Sequence, residues 1–339
     1  MKILLFSHAF YPNIGGIESI SLMFANNFHS RNDVSVIVVT RTNEEGNKKF
    51  PFQVVRDPSV VEVIKLLKWC DVVFENNPTF GLSWPNFLIR KPKLVGLQTW
   101  ITGPNAEDKI QNRLKKGLLG DYNRVVACSE KIKNVTFKNA LVIGNPYDSS
   151  NFKQTDTNKK SDFIFVGRLV SDKGGDMGIE LLNQLHTLRG NKYSLTIIGD
   201  GPEMQSLKAL AIKYNLQEDI RFLGFLGAEE IVKELNEHKY LLVPSRWEEP
   251  FGIVALEGIA CGCIPIVSNG GGLPDAVGKA GVVFERNSVP SLVQTTMELL
   301  DNVELQDTIL AAANNHLQAH TEIAVSEQYF ELIRNSLKH

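Results

Sequence analysis

The residues best placed for chemistry lie in the stretch 244–268, PSRWEEPFGIVALEGIACGCIPIVS, where glutamates stand in otherwise apolar, turn-punctuated surroundings. The pattern predicts the end of a strand, a loop, a helix from near Gly252 to Cys261-Gly262, and another strand over Cys263–Ser268. The amides of Gly252, Ile253 and Val254 then have no intrahelical partners, and with the positive end of the helix dipole they favour phosphate oxygens. Glu249 precedes that point, and Glu257 follows Ile253 by about one turn on the same face, so both carboxylates can address one ligand. Such a ligand would carry sugar hydroxyls as well as phosphate, because glutamate accepts from hydroxyls while amides hold a diphosphate. The plainer alternative leaves Glu248 and Glu249 as residues favouring a helix start and Glu257 as a solvated helix residue.

A second constellation is cationic. Gly167-Arg168-Leu169, followed by Ser171-Asp172-Lys173-Gly174-Gly175, places Arg168 and Lys173 where a strand feeds a helix. That is a phosphate-binding context in which arginine binds bidentately and lysine supplies a compact charge. Taken together, the run EPFGIVALE, with seven residues between Glu249 and Glu257, and the V-G-R-L…K-G pattern resemble the retaining GT-B glycosyltransferases of family 4 (glycosyltransferase group 1 type). The likeness is strongest from Phe165 to Asp275.

The resemblance implies a nucleotide diphosphate sugar as donor, with Arg168 and Lys173 gripping the diphosphate, Glu249 holding the transferred sugar and Glu257 the ribose. It also implies that Leu223, within Phe222-Leu223-Gly224, shapes the nucleotide pocket, that the Gly15-Gly16 loop faces the donor, and that Gln98 stands where the family often has histidine. Glutamine forms hydrogen bonds but does not exchange a proton near pH 7. No D-x-D motif is present to hold a metal, so basic residues are expected in its place and no cofactor is expected. The acceptor would be a carbohydrate or a lipid-linked molecule, and bacterial cell-surface polysaccharide or glycolipid synthesis the setting. Three alternatives stay open on the same fold: a sugar-nucleotide epimerase, a phosphorylase, and a non-catalytic nucleotide-sugar-binding protein.

The elements that must position these residues alternate. Strands are predicted at Lys2–Ser7, Val34–Thr40, Phe52–Arg56, Asp71–Phe74, Leu94–Thr99, Arg124–Cys128 and Leu141–Ile143, with helices at Gly16–Ser30, Val60–Trp69 and Glu107–Leu119. A polar stretch from Asn145 to Ser161 reads as a linker. A second series follows, with strands at Asp162–Leu169, Ser194–Gly199, Ile220–Leu223, Tyr240–Pro244, Cys263–Ser268 and Gly281–Phe284, then a closing helix over Glu322–Leu337. The expected fold is α/β: two Rossmann-like domains, 1–145 and 146–321, which the resemblance makes the acceptor-binding and the donor-binding domain. The resemblance adds that they face across a cleft, with 322–339 returning to the first. The loop Tyr11–Glu18 lacks the G-x-G-x-x-G spacing of a dinucleotide site, which argues against a nicotinamide dehydrogenase.

Of the 339 residues, 43% are apolar and 22% charged, as in globular chains, and no 18-residue apolar run appears. The N-terminal apolar run Ile3–Phe6 is too short for a signal peptide, so a cytoplasmic protein is expected. Four scattered cysteines lack metal-ligand spacing and read as buried thiols. Charge is uneven: residues 1–145 carry 19 Lys/Arg against 12 Asp/Glu, and the remainder 17 against 26. A basic first half suits an anionic membrane surface or a phosphorylated acceptor, with Lys109, Arg113, Lys115 and Lys116 as the lipid-facing candidates; an ordinary solvated face explains it equally. No nucleic-acid partner is expected.

Overall fold

The structure, a computed structural model, describes every residue except Ile14, Glu45, 102–114 and 338–339. The chain divides into two compact units, Met1–Pro146 with Glu322–His339, and Tyr147–Thr321.

The first unit is built on a parallel sheet of β1 (Lys2–Ser7), β2 (Ser35–Thr40), β3 (Gln53–Arg56), β4 (Val72–Asn76), β5 (Lys93–Leu97), β6 (Arg124–Ala127) and β7 (Leu141–Val142). Their order is β3-β2-β1-β4-β5-β6-β7. Parallel strands covered on both faces need continuous apolar runs, and Ile3, Leu4, Leu5 and Phe6 are all fully buried. The helix Val60–Trp69 starts with a capping box: Ser59 Oγ accepts from the Glu62 amide while the Glu62 carboxylate accepts from the Ser59 amide at 2.8 Å. The closing helix, Glu322–Asn335, belongs to this unit and buries Val325, Tyr329, Phe330 and Ile333 at helical spacing. Tyr329 and Phe330 pack with tilted rings against Phe24 and Phe28 of the helix Gly16–His29, with centroids 4.6 and 5.9 Å apart.

Two short helices, Phe80–Ser83 and Asn86–Ile89, are new relative to the sequence reading, since a four-residue turn is too short to show periodicity. The helix expected over Glu107–Leu119, with Lys109 and Arg113, lies mostly outside the described residues; residues 115–118 are helical, and Lys116 Nζ donates to the Val135 carbonyl at 2.9 Å.

The second unit carries β8 (Ser161–Val166), β9 (Leu195–Ile198), β10 (Ile220–Gly224), β11 (His238–Val243), β12 (Ile264–Ser268) and β13 (Val282–Phe284), all parallel, in the order β10-β9-β8-β11-β12-β13. Its core gathers Phe163, Phe165, Ile197, Leu242 and Ile266 from the strands with Leu181, Leu185 and Leu292 from the covering helices. The polar stretch after Asn145 includes an ordered turn in which the Asp148 carboxylate accepts from the amides and side chains of Ser150 and Asn151. All four cysteines are buried and none is in a disulfide, and burial pushes the Cys261 thiol up to about 12. Among the described residues, no helix is long and apolar enough to cross a membrane.

Candidate functional site

In the second unit the strand order reverses between β8 and β11, and in open α/β sheets ligands bind outside the carboxyl ends of the strands at that reversal. The loops leaving β8 and β11 meet there backbone to backbone. Gly174 adopts φ +70°, and a Cβ at that position would lie 2.2 Å from the Pro244 carbonyl oxygen, so no larger residue fits. The Asp172 carbonyl accepts from the amides of Arg246 and Trp247 at 2.7 and 3.1 Å. The Arg246 guanidinium then grips both oxygens of Asp176 at 2.6 and 2.7 Å. Glu248 ties the β11 loop to the loop after β12 by accepting from the Gly271 amide at 2.8 Å and pairing with Arg286 at 2.9 Å. It therefore fastens two loops together, where the sequence alone suggested a residue favouring a helix start.

This framework brings Lys173 and Glu249 together. The Lys173 ammonium pairs with Glu249 Oε1, and Ser245 Oγ donates to the same oxygen at 2.8 Å. The two side chains are 24% and 13% exposed, so the pair is shielded yet still reaches solvent. An ammonium has three N–H donors, which leaves two of them for a ligand.

The helix Ile253–Ala260 begins at Gly252, whose φ of +112° and lack of room beside Leu273 require glycine, and no side chain caps it. The amides of Gly252, Ile253 and Val254 thus form the uncapped first turn that the sequence predicts. One turn along, Glu257 is half-buried, and its carboxyl is pushed up to about 7, by burial first and by the nearby Asp148 second. Asp148 was legible only as a linker residue, because its approach to Glu257 is a long-range consequence of folding. Nor did the sequence mark Ser245 or the Arg246–Asp176 fork; a polar pair directly after a strand was the one available signal.

Arg168 follows β8, is exposed, and its guanidinium has no partner among the described residues. Leu223 is half-buried near the end of β10. Gly199, after β9, sits at φ +136°, with a Cβ position only 1.8 Å from the Gly167 carbonyl oxygen, so the loop beside Arg168 is also packed main chain on main chain.

The remaining expected residues are in the first unit. Gly16 opens the helix Gly16–His29. Gly15 is extended at φ 179°, so the turn expected to need glycine there does not; what is close is Glu18, whose Oε2 would lie 2.5 Å from an added Cβ. Gln98 is only 5% exposed, and its side-chain nitrogen and oxygen meet no hydrogen-bond partner of good geometry among the described residues. Its side chain lies on the face of the sheet covered by the helix Glu322–Asn335, beside the Tyr329 phenol, whose pKa burial raises well above its ordinary value. Of the tryptophans in this unit, Trp84 is 43% exposed and Trp100 is buried. Among the described residues, no group of three or more His, Cys, Asp or Glu could hold a metal ion.

A family model described as glycosyl transferases group 1 matches residues 148–316, the segment that holds Arg168, Lys173, Glu249 and Glu257. The chain belongs to the group 1 glycosyl transferases. This group 1 chain is 31% identical over 212 residues to an uncharacterized glycosyltransferase of Methanocaldococcus jannaschii, covering 58% of this chain and 57% of the relative. It is 26% identical over 224 residues to the phosphatidylinositol N-acetylglucosaminyltransferase gpi3 subunit of Schizosaccharomyces pombe, covering 61% and 49%. The chain thus spans about half the length of the curated relatives it matches. In fold, the crystal structure of Anabaena HepE in complex with UDP is similar with a TM-score of 0.83 at 19% identity, covering 99% of this chain and 100% of that one. The fold class is GT-B, as the sequence led us to expect.

Proposed function

We propose that this group 1 glycosyl transferase moves a sugar, with retention of configuration, from a nucleotide diphosphate sugar to an acceptor hydroxyl, and that the donor sits on the second unit. The observation that carries this reading is the meeting of Lys173 and Glu249 at the β8/β11 reversal, on loops that also lead to the uncapped helix start at Gly252. Its chemistry suits both halves of such a donor, since cations and amides take the diphosphate and carboxylates take hydroxyls. The choice of donor is supported by HepE, which is seen in complex with UDP and with UDP-glucose.

Breaking the bond from the anomeric carbon to phosphate oxygen develops negative charge on the leaving diphosphate and positive charge on the sugar. Arg168, the free N–H groups of Lys173 and the amides of Gly252–Val254 stabilise the first; the Glu249 carboxylate, held by Ser245, stabilises the second. The acceptor oxygen bonds to the same face of the anomeric carbon, and its proton passes to the departing phosphate oxygen. Glu257 accepts from ribose hydroxyls. In this scheme no divalent ion takes part, and bacterial cell-surface glycan or glycolipid synthesis remains the proposed setting.

The test is calorimetric titration with UDP-glucose. A charge-assisted hydrogen bond contributes about 1.5–3 kcal/mol, so Lys173→Ala should bind roughly 10- to 100-fold more weakly, and chelation with EDTA should leave both binding and turnover unchanged. Equal affinity in Lys173→Ala, or activity lost to EDTA and restored only by a divalent ion, would overturn the corresponding part of this scheme.

A further inference from the structure

The first unit has its own reversal of strand order, between β1 and β4, and a pocket of about 300 Å³ lies at the carboxyl ends of the neighbouring strands. His8 enters it from the loop after β1, Arg41 from the loop after β2, and Pro78–Leu82 from the segment after β4. Lys115, from the helical residues 115–118, completes the described lining. Every ionisable group in that lining is a nitrogen base, and no carboxylate is among the described lining residues. Among the described residues, the two carboxylates that touch lining residues are already engaged. Asp57 pairs with Arg41 Nη1 at 2.5 Å. Glu75 is buried and accepts from the Thr79 amide and hydroxyl and from the Tyr122 hydroxyl at 2.7–2.8 Å.

The Arg41–Asp57 pair is exposed on both sides, and such pairs contribute about 0–1 kcal/mol, so it is no obstacle to Arg41 turning its remaining N–H groups to a ligand. The pocket's volume is at the lower end of the range for small-ligand sites, about 300–1,000 Å³. Pro78, Phe80 and Leu82 add an apolar wall beside the cations.

We infer that this pocket holds a phosphoryl group, and, resting on the sugar-transfer reading above, that the group belongs to the acceptor. Three converging nitrogen bases, opposed among the described residues only by the exposed Asp57, suit a doubly charged oxyanion, which takes several donors at once. A neutral sugar would bring no counter-charge to Arg41 and Lys115. The same chemistry could be presented by a free sugar phosphate or by a lipid phosphate, and the apolar wall accommodates either.

The experiment is equilibrium binding in excess UDP, which on the reading above fills the donor site. The probes are glucose 6-phosphate and dodecyl phosphate dispersed in a neutral detergent, with glucose and the detergent alone as uncharged counterparts. At least one phosphorylated probe should bind at least ~10-fold more tightly than its counterpart, and Arg41→Gln and Lys115→Gln should each remove most of that preference. UDP-glucose affinity should stay at the wild-type value in both variants. Preference for glucose 6-phosphate identifies a free sugar phosphate; preference confined to dodecyl phosphate identifies a lipid-linked acceptor. The inference is overturned if neither phosphorylated probe exceeds its counterpart, or if both variants keep the full preference. Failure of UDP-glucose itself to bind would instead refute the donor reading, and the effects of the two variants on phosphate binding would still decide the pocket.

Discussion

Replacing Glu257 by glutamine keeps the shape of the side chain and removes its titration, so it isolates what burial does to this carboxyl. In the folded protein the group titrates near 7, against an ordinary value of 4.5. A carboxyl raised in this way holds its proton more tightly when folded, so stability is intact at low pH, falls as pH rises from about 4.5 to 7, and stays reduced above that. With these two values the ionisation penalty is under ~1 kcal/mol at pH 5 and ~3 kcal/mol at pH 8. Glu257 is only half-buried, and solvent screening trims the difference, so the penalty should grow by about 1–2 kcal/mol between the two pH values. For a unit the size of Tyr147–Thr321 that is roughly 3–6 °C in Tm. Thermal unfolding of wild type and Glu257→Gln at pH 5 and pH 8 should show the variant gaining that much on the wild type at the higher pH. The same ionisation should make UDP-glucose bind more tightly to the wild type at pH 8 than at pH 6, because only the carboxylate accepts from both ribose hydroxyls; the variant should bind weakly and without that trend. A constant Tm difference across the range, or a variant that loses ground as pH rises, would refute the reasoning.

Glu249→Gln should depress kcat by about 100- to 1000-fold because it removes a group facing developing positive charge, whereas Glu257→Gln should mainly raise the donor KM; steady-state kinetics with the donor varied checks both, and near-normal kcat in Glu249→Gln would reverse the roles. Gly199→Ala forces a side chain into a backbone conformation reserved for glycine and to 1.8 Å from the Gly167 carbonyl, so it should destabilise the protein by about 2–4 kcal/mol in urea unfolding; a loss under ~0.5 kcal/mol would contradict the backbone packing described.

How far these features were legible in the sequence depends on their range. Strand runs such as Lys2–Ser7 and the helix Val60–Trp69 stand where periodicity puts them, because local signals decide them. The helix start at Gly252 was readable for the same reason. The Lys173–Glu249 pair was not, since 76 residues separate its members and only the return of the chain through β9 and β10 to β11 brings them together. Glu248 looked like a partner of Glu249 by adjacency, yet neighbouring loop residues point apart, and it serves Gly271 and Arg286 instead. Gln98 could be placed at a strand end, but its orientation toward Tyr329 depends on the closing helix, more than 220 residues later. The raised carboxyl at Glu257 depends on burial and on Asp148, neither of which has a sequence signal.

The most direct test of the donor site is the crystal structure of the protein in complex with UDP-glucose. The account predicts diphosphate oxygens at about 2.7–3.2 Å from Lys173 Nζ and from the amides at the start of the helix Ile253–Ala260, with the hexose against Glu249 and the ribose against Glu257. A diphosphate bound away from the β8 and β11 loops, with Lys173 and Glu249 still paired only to each other, would contradict it.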